Sequence, residues 1–252
     1  MLIDQTELLY GNTAYERRYV GYFDVLGWRA EIENASSDPQ RIARLAAFPR
    51  MFETAKAVAP ASTVGGRMTT FSDNVVVSII ADPNYLSSWV RIFAGIQISL
   101  GLMGFWIRGA ITIGDLYHND DAVFGPGLNR AYELESKSAV YPRIILDPQL
   151  DELTSLQVNC VASDTLHRFL DPFQADFLDE VMATPFKQDF IDHFNREAGS
   201  NISPTRLSFC GNDWLKIFHQ RLSHELIAAD TEAVREKYQW LLLRIIPRIK
   251  WV

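Results

Sequence analysis

Cysteine, long apolar runs and positive charge are all scarce in this chain. Only 2 of its 252 residues are cysteine, which excludes a disulfide scaffold. Cys160 and Cys210 are far apart, belong to no CxxC, and read as two reduced core thiols. The longest apolar stretches, Val75 to Ile80 and Trp240 to Ile246, fall well short of the ~20 residues that span a bilayer. The start Met-Leu-Ile-Asp has no basic leader-like segment. A cytoplasmic location with no membrane partner is therefore expected. Lys and Arg number 24 against 31 Asp and Glu, a net charge of -7, the wrong sign for a protein that tracks nucleic acid. Five histidines (His118, His167, His193, His219, His224) make no HExxH pair. Gly125-Pro126-Gly127 is no P-loop, and there is no GxGxxG. What remains, 48% hydrophobic and 22% charged residues, is an ordinary globular composition with enough chain for one large core or a core with an appendage.

The chain alternates strand and helix signals. YVGYFDVL (19–26) reads as a buried strand with an acid, Asp24, near its end. After Ser-Ser-Asp-Pro, apolar residues from Pro39 to about Val58 recur at helical spacing. MTTFSDNVVVSII reads as a hairpin turning at Ser72-Asp73-Asn74, which puts a second acid at a strand tip. Asp82-Pro83-Asn84 caps a helix that Gly104 closes. FWIRGAITIGDLYH is strand-like, a polar loop runs from His118 to Asp121, GPGLNRAYELES opens a helix, and YPRIIL is a strand. This order predicts an α+β fold with a ferredoxin-like palm. Beyond about 150 the pattern becomes mainly helical, with helices over Pro204 to Leu226 and Thr231 to Ile246. The expected division is a catalytic domain over 1–150 and a helical extension over 151–252, packed on the core or on a dimer interface.

Asp24 and Asp73 meet if the first strand pairs with the hairpin. Two carboxylates at strand tips, completed by substrate phosphates, suit Mg²⁺ or Mn²⁺ and phosphoryl or nucleotidyl transfer. Taken alone, each acid is equally compatible with a helix cap or a turn.

FDVLGW (23–28), FSDNVVVS (71–78), IRGAITIGDLYH (107–118), FGPGLNRAYELES (124–136) and PRIIL (142–146), in this order, resemble the class III nucleotide cyclase catalytic domain. The resemblance implies two divalent ions, Mn²⁺ or Mg²⁺, held by Asp24, Asp73 and the carbonyl of Val25. It implies triphosphate contact by Arg108, and ribose orientation by Asn129 from the other subunit of a head-to-tail homodimer. Backbone amides of the turn Leu26, Gly27 and Trp28 would approach the phosphates, as a helix N-terminus favours anions. Phe23 and Phe124 fall among the substrate-binding positions.

Two departures stand out. The family's transition-state arginine, four residues after Asn129, is Glu133 here. Either Arg130, Lys137 or a partner's cation replaces it, or the domain is slow or inactive. The two base-reading positions are Thr69 and Ala122, which reproduce neither the adenine-type Lys/Asp pair nor the guanine-type Glu/Cys pair. Together with the motif variants and the helical extension, this resembles the pyrimidine cyclases of bacterial anti-phage Pycsar systems. The implied activity is conversion of UTP into cyclic UMP and pyrophosphate, a signal for a separate cyclic-nucleotide-activated effector. Cyclic CMP synthesis, a degenerate nucleotide-binding module, and a palm enzyme joining two nucleotides are the alternatives.

Overall fold

The computed structural model describes residues 14–52, 65–150, 158–183, 210–229 and 231–251. Strand β1 (Glu16–Val25) is followed by helices α1 (Trp28–Ala35) and α2 (Pro39–Arg50), then by the hairpin β2 (Arg67–Phe71) and β3 (Asn74–Ile80). Helix α3 (Pro83–Met103) leads to β4 (Ile107–His118), the short β5 (Val123–Phe124), α4 (Pro126–Ser138) and β6 (Ile144–Leu146). Then come β7 (Val161–Ser163), β8 (Arg168–Leu170), α5 (Ala175–Ala183), α6 (Gly211–Ala228) and α7 (Glu232–Ile245), which ends in a 3₁₀ turn, Ile246–Arg248.

The strands form one mixed sheet in the order β2-β3-β1-β4-β6-β8-β7, with β5 paired to β4. Its first four strands are all antiparallel neighbours, whereas β6 lies parallel to β4. Order and direction of β2-β3-β1-β4 are those of the ferredoxin-like palm expected from sequence.

Local chemistry explains the main boundaries. Asp38 and Asp82 cap α2 and α3 by accepting backbone N–H bonds, each followed by a proline that cannot donate one. Gly104, at φ 87, ends α3 in the left-handed region. Helix α2 ends at Arg50; the remainder of the helix expected up to Val58 lies outside the described residues from 53 on. Helix α1 was not expected. It opens on Gly27, at φ 76 and with no side-chain cap, so it carries no sequence signal of a start.

Strand alternation gives the sheet two different faces. One presents Tyr19, Phe23, Val25, Val75, Val77, Ile79, Ile107 and Ile111 to the main apolar core. There Phe23 stacks on Phe52 and Phe93, and Trp28 lies against Phe48 and Phe105. The 21-residue helix α3 is apolar enough to cross a membrane by length and composition, but 67% of its most apolar window is buried inside the protein. Trp89, Val90, Phe93 and Ala94 are fully buried, as in the central helix of a core. The other face carries Arg18, Val20, Tyr22, Asp24, Asn74, Arg108, Ala110, Thr112 and His118, with α4 packed over part of it.

The region beyond 150 has the expected helices, α5 to α7, and adds to them a pair of short strands. It begins with a β7-β8 hairpin that extends the sheet through β6. Leu150, Cys160, Phe173, Phe177, Trp214, Phe218 and Leu241 join the same core as β1 and α3. The buried Asp171 carboxylate accepts from both Arg244 and Arg248, lashing α7 to the end of β8. Trp240 of α7 stacks flat on Tyr141, with ring centroids 5.1 Å apart. Cys160 is buried as expected; Cys210 is exposed, at the N-cap of α6.

Candidate functional site

Asp24 is the last but one residue of β1, where β3 and β4 flank it. It pairs across the sheet with Asn74 on one side and Arg108 on the other. Asp73 occupies the two-residue hairpin turn after Ser72, whose φ of 57 is the left-handed geometry such turns require. The Val25 N–H donates to the Asp73 carbonyl at 3.3 Å, tying the turn to the end of β1. The structure therefore brings together the two acids that are 49 residues apart in sequence.

Arg108 stands between two carboxylates. Its Nε donates to Asp24 Oδ2 at 2.8 Å and lies 2.7 Å from Glu135 Oε1, off the N–H axis and so an ion pair rather than a hydrogen bond. Burial pushes the Asp24 carboxyl up, with Asp73 adding to the effect and Arg108 opposing it. Glu135 is raised for the same first reason, with Arg108 opposing. The Asn74 amide donates to Asp73 Oδ1 at 3.0 Å, and its carbonyl oxygen accepts from the Tyr22 hydroxyl. Burial, followed by the charges of Glu135 and Asp24, pushes the Tyr22 phenol up to about 12. It is a neutral donor under ordinary conditions.

Two charged groups near Asp24 escaped the sequence reading. Glu135 comes from α4, one residue before the motif serine, Ser136. Lys237 comes from α7. Trp240, one turn further along α7, packs on the cluster containing Ala110 and Leu134. Burial lowers the Lys237 pKa, Arg108 lowers it further, and Asp24 opposes. Neither residue has a local signal; only the fold sets Glu135 against Arg108 and brings Lys237 within electrostatic reach of Arg108 and Asp24.

The remaining sequence candidates occupy separate places. Phe23 and Trp28 turn their rings into the core, away from the acids. Leu26 and Gly27 form the turn into α1, and the Leu26 N–H donates to the Trp106 carbonyl at 2.8 Å. Asn129 is exposed in the first turn of α4. Six residues separate it from Glu135, about 240° around the helix, so it does not face Arg108 in its own chain. Arg130 is not a free surface cation. Its guanidinium grips the fully buried Asp147, at 2.8 Å and 3.3 Å, and Thr112 also donates to that carboxylate. Burial works against ionisation of Asp147, but these donors and the Gln149 N–H hold its pKa down. Glu133 is exposed and paired with Lys137 at 2.8 Å.

Thr69, on β2, belongs to a buried polar chain. Its hydroxyl lies 3.0 Å from His118 Nε2, and His118 Nδ1 lies 2.8 Å from Ser78 Oγ. Ser78 Oγ in turn accepts from Arg18 Nε at 2.9 Å. Ala122 lies in the tight loop after β4, where the Asn119 side chain accepts from the N–H groups of Asp121 and Ala122. Phe124 is about half exposed and stacks on Tyr117.

Among the described residues no group of three or more His, Cys, Asp and Glu side chains is arranged to hold a metal ion. The donor set at Asp24 and Asp73 is two mutually repelling carboxylates, one of them half-buried. That suits a hard divalent cation which takes its other oxygens from phosphates and water.

No family model and no curated protein matches the chain. Among solved structures it is similar to a bacterial light-regulated adenylyl cyclase, at 14% identity over 65% of this chain and 54% of that one, with a TM-score of 0.45. It is also similar to the catalytic core of a rhodopsin-guanylyl cyclase with converted specificity in complex with ATPαS, at 14% identity over 62% of this chain and 96% of that one, TM-score 0.41. A third is a class III adenylyl cyclase-like ATP-binding protein from Pseudomonas aeruginosa, at 10% identity over 91% of this chain and 44% of that one, TM-score 0.42. The chain thus spans about half the length of the light-regulated enzyme.

Proposed function

We propose that the chain is a nucleotidyl cyclase that converts UTP into 3′,5′-cyclic UMP and pyrophosphate. The observation that carries this reading is the meeting of Asp24, Asp73 and Arg108 at one end of the open sheet face, with the motifs in family order around them. Asp24 and Asp73 would hold Mg²⁺ or Mn²⁺, with the Val25 carbonyl as a further ligand. When bound, the ions would lower the pKa of the ribose 3′-hydroxyl and neutralise phosphate charge. Arg108 is already fixed by Asp24 and Glu135, so its remaining guanidinium N–H groups can meet a triphosphate without reorganising. Lys237, which feels the charges of Arg108 and Asp24, would add a second cation to this end of the sheet in place of the arginine missing at position 133. In the turn Leu26-Gly27-Trp28 the Leu26 N–H is held by the Trp106 carbonyl, and the N–H groups of Gly27 and Trp28 at the start of α1 would be the ones to approach the phosphates.

Asn129, turned away from Arg108 in its own chain, would orient the ribose in the site of a second copy. A head-to-tail homodimer with two shared sites follows, and a lone subunit would be inactive. By the same resemblance the product would act on a separate effector in anti-phage defence. Cyclic CMP from CTP is the nearest variant of this reading.

The test is product identification by mass spectrometry after incubation of the purified protein with Mn²⁺ and each of ATP, GTP, CTP and UTP. Cyclic UMP should dominate, and Asp73→Ala should lose at least about 100-fold of the activity at an unchanged melting temperature, because the turn keeps its backbone pairing. Full activity in Asp73→Ala would refute the two-metal assignment. A second reading, a nucleotide-binding module without turnover, is favoured by one feature, the engagement of Arg130 with Asp147. Nucleotide binding with no cyclic product from any of the four would establish it.

A further inference from the structure

Resting on the cyclase reading, with Thr69 at the base-reading position, we propose that Arg18, Ser78 and His118 fix the Thr69 hydroxyl as a hydrogen-bond donor and so select a pyrimidine with a carbonyl at carbon 4. The argument is an accounting of hydrogens along a buried chain.

Arg18 has no acceptor lone pair, so its Nε–H can only donate, and Ser78 Oγ, 2.9 Å away, must accept. Ser78 is fully buried, so its own hydroxyl hydrogen needs an acceptor inside the protein. His118 Nδ1, at 2.8 Å, supplies one. The imidazole is neutral near pH 7, since burial, with Arg18 and Arg67 adding and Asp120 opposing, pushes its pKa down to about 4. A neutral ring that accepts at Nδ1 must carry its hydrogen on Nε2. Nε2–H then donates across 3.0 Å to Thr69 Oγ1. The Thr69 hydroxyl hydrogen is thereby directed away from His118, toward the half-open side of β2.

The opposite polarity has a definite defect. A hydrogen on Nδ1 would make Ser78 Oγ accept twice and strand its own hydrogen at a fully buried position, a cost of about 1–3 kcal/mol. The device is also built to hold its setting. Arg18 is itself immobilised by Glu16, by the Gly65 carbonyl and by the Ser78 carbonyl.

Uracil presents a carbonyl at carbon 4, an acceptor for a donating hydroxyl. Cytosine presents an amino group there, which Thr69 Oγ1 could accept only with its second lone pair, leaving the hydroxyl hydrogen without a partner unless the base slid by one ring atom toward its N3. A site whose hydroxyl hydrogen is left pointing at this spot is fully paired only by an acceptor there, so it prefers UTP to CTP, and with cytosine the Thr69 hydrogen is the group left without that acceptor.

Two readouts test the proposal. The ¹⁵N shifts of the His118 ring, assigned by loss of its signals in His118→Gln, should report the neutral Nε2–H form at pH 7. An Nδ1–H ring would overturn it. The ratio of kcat/KM for UTP over CTP should fall about 10-fold or more in Thr69→Val, and fall in Ser78→Ala, which keeps Thr69 but frees the ring tautomer. Thr69→Ser should retain the wild-type ratio. An unchanged ratio in Thr69→Val, or a wild type that prefers CTP, would overturn it. If the wild type turns over no nucleotide, the cyclase reading fails instead. Equilibrium binding of UTP against CTP to the wild type and Thr69→Val, beside the tautomer, then decides this inference alone.

Discussion

His118 illustrates how a single buried side chain links position to measurable behaviour. Its pKa near 4 in the folded protein lies below the ~6.5 of an unfolded chain, so unfolding takes up a proton between those values. The stability it contributes is fully present above about pH 6.5 and is lost as the pH falls toward 4, by up to roughly 3 kcal/mol. Urea denaturation at pH 7 and pH 4.5 should show a larger acid loss for the wild type than for His118→Gln. Equal losses would mean that the ring protonates as easily in the folded state. The charged neighbours that set this value are Arg18 on β1, Arg67 on β2 and Asp120 in the loop after β4. Of the site residues, the strand-tip aspartates were legible because each sits in a short local motif. The ties that define their setting join residues remote in sequence, such as Arg108 with Glu135 or Arg130 with Asp147, and no local pattern announces them. Arg130 reads as an exposed helix cation until the burial of Asp147 is known.

At the scale of elements, the seating of α4 on β4 decides where Glu135 and Asn129 go. Gly114 and Gly127 make that seating possible: a β-carbon on Gly114 would stand 2.6 Å from Gly127 Cα, a backbone atom that cannot swing aside. Gly114→Ala should lift the start of α4, destabilise the protein by about 1–3 kcal/mol, and weaken the contact of Glu135 with Arg108. Thermal melting together with nucleotide turnover checks this, and a fully active variant of wild-type stability would show that α4 has slack. Most elements were readable in advance because strand alternation, Asp-Pro caps and terminal glycines act within a few residues. The exceptions have physical causes. Helix α1 starts on a left-handed glycine without a cap, and strands β7 and β8 are three residues each, too short for an alternating pattern to emerge.

Across the whole molecule, the C-terminal helices belong to the core rather than to an appendage. Phe218 of α6 packs edge-on against Phe173 and faces Trp106, just before β4, while Leu241 and Ile245 of α7 are buried in the same cluster. Removing residues 210–252 should therefore abolish cooperative unfolding rather than trim a stable N-terminal domain, because the apolar surface uncovered exceeds what a marginally stable fold tolerates. Circular dichroism melting of the truncated chain is the check; a transition matching that of the full chain would show two independent units. The change in pattern near residue 150 was legible as a turn toward helices, whereas the pairing of β8 with β6 was not, because a sheet is extended by pairing whatever the composition around the strand.

The clamp of Asp171 on Arg244 and Arg248 has a bearing on the order in which the protein is made. Asp24, Asp73 and Arg108 leave the ribosome long before Lys237, and the helix that brings Lys237 within electrostatic reach of Asp24 and Arg108 is locked down by arginines that come later still. On the proposed reading, a nascent or prematurely terminated polypeptide would carry the metal ligands but not the full set of phosphate-binding cations. Signal production would then wait for translation to pass the last arginine of the clamp, which keeps unfinished chains from raising a false alarm.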